Sequence, residues 1–281
     1  MISVHTQEKI AKFILWMSGF VIIGLLLFIL GYVLSRGIWI LNWEFITELP
    51  RVRGTEGGIF PMIIGTLFII IISVAMAAPI GIGGGIYLTE YAGKTTSTKF
   101  ITFGAEWLAG IPSIIFGLFG FAFFVVYLGW GWSLMAGSAT LACMILNEII
   151  RTTQESLKMV PNSYRDGSYA LGATKWQTIK GVVLKNAAPG ILTGIILGIG
   201  RSAGDTAAIL LTAGTVMRIP ETIFHSVRPM SIHLYILAMF EFGEGADARS
   251  YGTATLLILI ILILNLTAWK IMKIYTKSLR E

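Results

Sequence analysis

The chain has 281 residues, of which 55% are hydrophobic and only 13% charged, and its mean hydropathy is +0.79. A soluble domain carries about a quarter charged residues, so this composition excludes a soluble enzyme. Twenty-one basic residues against 15 acidic ones leave a net charge of +6, yet the hydropathy excludes a nucleic-acid binder. The single cysteine, Cys143, can close no internal disulfide. Three scattered histidines, His5, His225 and His233, give no cluster of the roughly four ligands that structural zinc needs. What remains is an all-α polytopic membrane protein.

A bilayer core of about 30 Å needs roughly 20 apolar residues in a helix. In chain order, six stretches qualify: Phe13–Leu34, Phe60–Ile80, Leu108–Leu128, Leu134–Ile150, Ile191–Ala213 and Tyr251–Ile271. The first is too long for a secretory signal and has no small-residue cleavage site behind it, so it reads as an anchor. Asn147 and Glu148 interrupt the end of the fourth. Basic residues orient the spans. With the N-terminus inside, fourteen lysines and arginines fall on the cytoplasmic side, within 9–12, 94–99, 151–185 and 270–280. Arg36, Arg51, Arg53, Arg218, Arg228 and Arg249 fall outside. Both termini are therefore expected in the cytoplasm. The outer stretches Ser35–Ile59 and Gly214–Ser250 read as polar loops.

Two apparent nucleotide motifs fail on context. Ala92-Gly93-Lys94-Thr95-Thr96 has the tail of a phosphate-binding loop, but Leu88 stands where the leading glycine belongs and no strand precedes it. Gly198-Ile199-Gly200-Arg201-Ser202-Ala203 fits a loose dinucleotide fingerprint inside an apolar span, which is the wrong setting. The chain is expected to hold no cofactor and no metal. Cys143 reads as a packing residue, and His225 and His233 as loop residues.

Thr152–Pro189 is the longest inner segment and reads as helical. Asn162-Ser163 after Pro161 starts a helix, Gly172-Ala173 makes a small-residue turn, and a second short helix completes a compact knob. Pro189-Gly190 punctuates the entry into the fifth span. The run Tyr164–Ile179 with Val182-Val183-Leu184 resembles the signature loop of importer-type ABC transporter permeases. In that family the loop forms coupling helices that dock in a groove of the ATPase. Asp166-Gly167-Ser168 stands at the family's Glu-Ala-Ala, Gly172 falls in register with its glycine, and Leu184-Lys185 replaces its Leu-Pro. The resemblance implies that Arg165, Asp166, Gly167, Ser168, Leu171, Gly172, Ala173 and Thr174 couple to an ATPase.

Further matches resemble the phosphate-specific permeases of the Pst system, the A-type subunit more than its C-type partner. They are Gly57-Gly58-Ile59-Phe60-Pro61, Ile86–Tyr91, Gly110–Ile114, Ile149–Thr153 and Val160–Tyr164. The implied fold is that of a type I ABC importer permease. Residues 1–59 would be the first span and outer loop, 60–273 the permease domain with coupling loop 152–189, and 274–281 a cytoplasmic tail. Implied partners are a second permease subunit, two ATPase subunits that bind the ATP, and an extracytoplasmic phosphate-binding protein.

The fifth span concentrates the chemistry. Gly190, Gly194 and Gly198 at spacing four, then Gly200 and Gly204, form a small-residue ridge suited to close helix packing, here expected against a partner subunit. Arg201 lies 11 residues past Gly190, roughly 16 Å along the helix and so near mid-membrane. An ion there must be paired or face water. Asp205 at i+4 is expected to pair with it. Gly200–Ala207 is similar to the Arg-Ala-x-Gly-Glu-Thr motif of the Pst permeases, which implies a substrate pathway of Arg201, Ser202, Asp205 and Thr206. Glu90, Glu106, Glu148 and Arg151 read as interfacial anchors, with Glu148 and Arg151 spaced to pair. Another oxyanion such as sulfate or molybdate, or a stand-alone secondary transporter, stays open beside phosphate.

Overall fold

The computed structural model describes residues 4–278 apart from 94–102, 105, 106 and 109. Lys94, Lys99, Glu106, Arg280 and, in the third expected span, Ala109 thus lie outside the described residues. The first helix, α1 (Val4–Gly37), is followed by α2 (Trp43–Thr47) and a two-stranded antiparallel hairpin pairing Pro50 with Gly57. Asn42 caps α2 by accepting from the Phe45 amide. Then come α3 (Phe60–Ile86), extended by a π turn at Tyr87–Tyr91, and α4 (Ser113–Gly120), extended by a π segment at Phe121–Tyr127.

Helix α5 (Leu134–Lys158) is the axis of the bundle. Leu141, Ile145 and Ile149 are fully buried on it. Its start is capped by the Ser133 hydroxyl on the Ala136 amide. The Leu134 and Met135 amides donate to the carbonyls of His225 and Ile223, so the outer segment satisfies an exposed helix end. Gly81 of α3 faces Ile149, and Gly85 faces Thr153; a Cβ at either site would come within 2.7 Å of that neighbour. Absence of side chains is what lets α3 and α5 run so close.

After α5 come α6 (Asn162–Ala170) and α7 (Lys175–Thr178), which continues through a π segment at Ile179–Val183 into α8 (Leu184–Gly204). The remainder is α9 (Ala207–Leu210), α10 (Met230–Phe240) and α11 (Glu244–Ser278). α1 packs on α11, where Gly37 meets Thr255 and Tyr251 and the Thr255 hydroxyl donates to the Val33 carbonyl at 3.2 Å.

Five helical stretches among the described residues are long and apolar enough to cross a membrane: Glu8–Ile40, Phe60–Tyr91, Leu134–Lys158, Lys175–Gly204 and Gly245–Ile274. The third expected span corresponds to the shorter apolar helix Ser113–Tyr127. Three expectations change. Pro189 does not begin a new helix; it sits inside α8, which grows without interruption out of α7. The fifth span stops at Gly204, because Asp205 turns to an extended backbone (φ −78°, ψ 109°). Gly214–Ser250 is not wholly a polar loop, since α10 within it is apolar and buries Met230, Ile232, His233 and Leu237. That helix has 11 residues, too few to cross about 30 Å.

Candidate functional site

Arg201 occupies the last turn of α8, where the negative end of the helix dipole favours a cation. Its expected partner is not the one it has. The Arg201 guanidinium lies 3.7 Å from Glu148 Oε2 on α5, with 39% and 27% of the two side chains exposed. Asp205 has turned away, because the helix ends one residue earlier; its Oδ1 accepts from the Ala208 amide at 3.0 Å and caps the start of α9. The i+4 pairing needed a continuous helix, and the break removes it. Glu148 is likewise free of its expected partner, since Arg151 pairs with Glu155 at 3.1 Å on an exposed face.

The neighbouring pathway residues separate. Ser202 is buried, with its hydroxyl 3.4 Å from that of Ser73 on α3, so it packs the bundle instead of lining an opening. Thr206 is half-buried at the unwound junction between α8 and α9. Irregular backbone at membrane depth is tolerated where protein covers it or where it lines a watery cavity. Asn265 of α11 adds a polar group, because its side chain lies 3.5 Å from the Cβ that Gly200 lacks. Glu148 Oε2 and Asn265 Oδ1 are buried atoms without a hydrogen-bond partner. The sequence reading gave Glu148 the role of an anchor paired with Arg151 and did not single out Asn265; an amide or carboxylate inside an apolar span was the signal, but helix-to-helix contact is not legible from spacing.

The glycine ridge faces inward to its own chain. Cβ atoms at Gly190 and Gly194 would strike Ser156 and Thr152 of α5, and one at Gly198 would touch Ile145 and Ile149. The expectation of a partner-subunit contact through these three residues is therefore corrected. Ser156 and Thr152 already donate to carbonyls of α5 itself, the Thr152 and Glu148 carbonyls at 2.6 and 2.9 Å, so small residues meet across a ridge with no polar group orphaned. Gly204 has open space around it.

The loop between α5 and α8 folds as the expected knob. Pro161 precedes α6, and Gly172 makes the turn with φ +82°, the left-handed region that other residues avoid. Thr174 and Gln177 form a reciprocal capping box that starts α7. Asp166, Gly167, Gly172 and Thr174 are exposed, Leu171 is 90% exposed, and Ser168 and Ala173 are half-buried. Arg165 departs from this set. It points into the protein and meets Glu90, the supposed interfacial anchor, at 2.7 Å.

Apolar helices long enough to cross a membrane, a charged pair between two of them and an exposed helical knob define a polytopic membrane protein. Residues 81–281 match the family of binding-protein-dependent transport system inner membrane components. The chain belongs to this family and is a permease subunit of an ABC importer, a protein of the inner membrane. It is 31% identical to the probable ABC transporter permease protein YqgI of Bacillus subtilis, over 96% of this chain and 97% of that one. It is 36% identical to the phosphate transport system permease protein PstA of Pasteurella multocida, over 86% of each. A bacterial ABC transporter involved in alginate import shares the fold, with TM-score 0.65 and 15% identity over 96% of this chain and 98% of that one.

Proposed function

We propose that this chain is the A-type permease subunit of an ATP-driven importer of inorganic phosphate. One observation carries the reading: Arg201 keeps donors for an anion. Its guanidinium is two-fifths exposed, and the 3.7 Å gap to Glu148 exceeds a hydrogen bond. A planar fork of donors suits two phosphate oxygens at once. An apolar conduit would exclude a doubly charged anion by many kcal/mol, and a single cation lowers that barrier. Glu148 keeps the attraction weak enough for the anion to leave. Similarity to PstA supports phosphate as that anion.

The same reading assigns the partners. A second permease subunit completes the pathway, and an extracytoplasmic phosphate-binding protein delivers the anion. Two ATPase subunits hold the ATP and dock on the knob, so this chain itself holds no cofactor and performs no covalent chemistry. The excess of basic residues on the knob side supports a cytoplasmic knob and cytoplasmic termini. Reconstituted complex should take up radiolabelled phosphate only when ATP and the binding protein are both present. Uptake that sulfate or molybdate competes away at equal concentration, or that proceeds without ATP, overturns the proposal.

A further inference from the structure

We infer that the buried pair Arg165–Glu90 transmits movement of the knob into the membrane helices, with Arg165 acting as a positioning residue and not as part of the docking face. The inference rests on the ATP-driven reading above. Only 14% of the Arg165 side chain and 8% of the Glu90 side chain are exposed. Three elements meet at this one guanidinium. Nη2 donates to Glu90 Oε1 at 2.7 Å and to the Leu157 carbonyl at 2.9 Å, while Nη1 donates to the Val160 carbonyl at 2.7 Å. The Leu157 carbonyl lies in the last turn of α5, where it also accepts from the Val160 amide, and the Val160 carbonyl lies just past the helix end, where the dipole is negative and favours a cation. Glu90 lies in the π turn that ends α3. Arg165 itself belongs to α6, whose other face presents Asp166 and Gly167 to solvent.

Removing one partner of a buried pair strands the other charge without water, which makes the pair costly to separate. The exposed pair Arg151–Glu155 has no such property, since solvent screens it. Secondary contacts reinforce the same joint. Lys175 of α7 lies over the Tyr91 ring at 4.7 Å, and the Ser168 and Thr178 hydroxyls are 2.9 Å apart. A push on the exposed face of α6 therefore displaces the ends of α3 and α5 together. α5 also carries Glu148, nine residues before Leu157 and about 13 Å along the helix. The joint thus connects the ATPase side of the knob to the carboxylate that faces Arg201.

The test uses the complete complex, with inorganic phosphate and the binding protein, and the variants Glu90→Gln, Glu90→Asp and Arg165→Gln. Glu90→Gln leaves both carbonyl bonds of Arg165 in place, so the knob stays folded. We expect this variant to retain its bound ATPase and its basal ATP hydrolysis within about twofold. Phosphate moved per ATP should fall about tenfold, inside the roughly 5- to 150-fold range of typical intersite couplings. Glu90→Asp should recover part of that loss. Arg165→Gln should lose at least as much, and if it fails to assemble, Glu90→Gln decides alone. Wild-type phosphate per ATP in Glu90→Gln would overturn the inference. So would loss of uptake in strict proportion to loss of bound ATPase, which is what a mere structural brace predicts. A wild-type complex that moves no phosphate would sink the transport reading instead, a result separable from either of these.

Discussion

Arg201 of α8 lies 3.7 Å from Glu148 of α5, 53 residues earlier in the chain, while Asp205 four residues ahead of it caps α9 instead. This relationship orders the pathway variants. Arg201→Gln should abolish phosphate uptake, and Arg201→Lys should keep a fraction, because a point charge survives without the bidentate fork. Glu148→Gln should slow uptake by leaving the cation over-attractive to its anion. Asp205→Asn should be tolerated, since the amide oxygen can still accept from Ala208, whereas Asp205→Ala loses a cap worth about 1 kcal/mol. The decisive measurement is uptake by the double variant Arg201→Gln, Glu148→Gln. Wild-type transport there would reduce the pair to a packing device.

Gly194 meets Thr152 within one chain, so bulk there should break the subunit itself. Gly194→Leu forces a side chain into the α5–α8 contact, and over-packing of that kind costs about 1–3 kcal/mol. The isolated chain in detergent should melt at lower temperature before any partner is added. Gly204→Leu, with open space around the site, should leave melting unchanged. Equal effects at the two positions would contradict the inward placement of the ridge.

Helix existence was legible in the sequence because apolar run length reports it directly, and the knob was legible because Pro161 and the Gly172-Ala173 turn act locally on the backbone. Relations between helices were not. Glu90 and Glu148 looked like interfacial anchors, as their partners Arg165 and Arg201 lie 75 and 53 residues away. The break at Asp205 was hidden for a different reason: glycine-rich and apolar, Gly198–Ala208 has a composition that helix and unwound chain share. α10 was masked by the charged residues flanking it, Arg228 and Glu241.

His233 on α10 is fully buried, and neither ring nitrogen has a hydrogen-bond partner. Burial, helped by the Arg228 guanidinium, pushes its pKa down to about 3 from 6.5. The folded value is depressed, so the stabilising effect is complete above the unfolded value of 6.5. It is then lost as pH falls from there toward about 3, at about 1.4 kcal/mol per unit. Melting temperature in detergent should therefore drop between pH 7.5 and pH 5, taken as roughly the window of histidine titration. His233→Leu should flatten that dependence. An equal acid-induced drop in the variant would assign the effect to other groups.

Leu171 and Gly172 form the exposed tip of the knob, and they should fail in different ways when changed. Leu171 is 90% exposed, so it contributes little to the fold of this chain. A large apolar side chain held out in that way gains only by entering a pocket on a partner. Leu171→Asp should then leave melting of the isolated subunit within about 0.5 kcal/mol of the wild type. It should nevertheless release the ATPase during copurification, because a charge would be carried into an apolar groove. Gly172 stands at φ +82° with nothing near its Cβ position, so the restriction there is conformational and not steric. Gly172→Ala should cost about 1–2 kcal/mol within the knob, from the left-handed backbone alone. Gly172→Asn, which tolerates that backbone better, should recover part of the loss in both knob stability and ATPase binding. If Leu171→Asp retains its ATPase at wild-type stoichiometry, the docking face lies elsewhere on the loop.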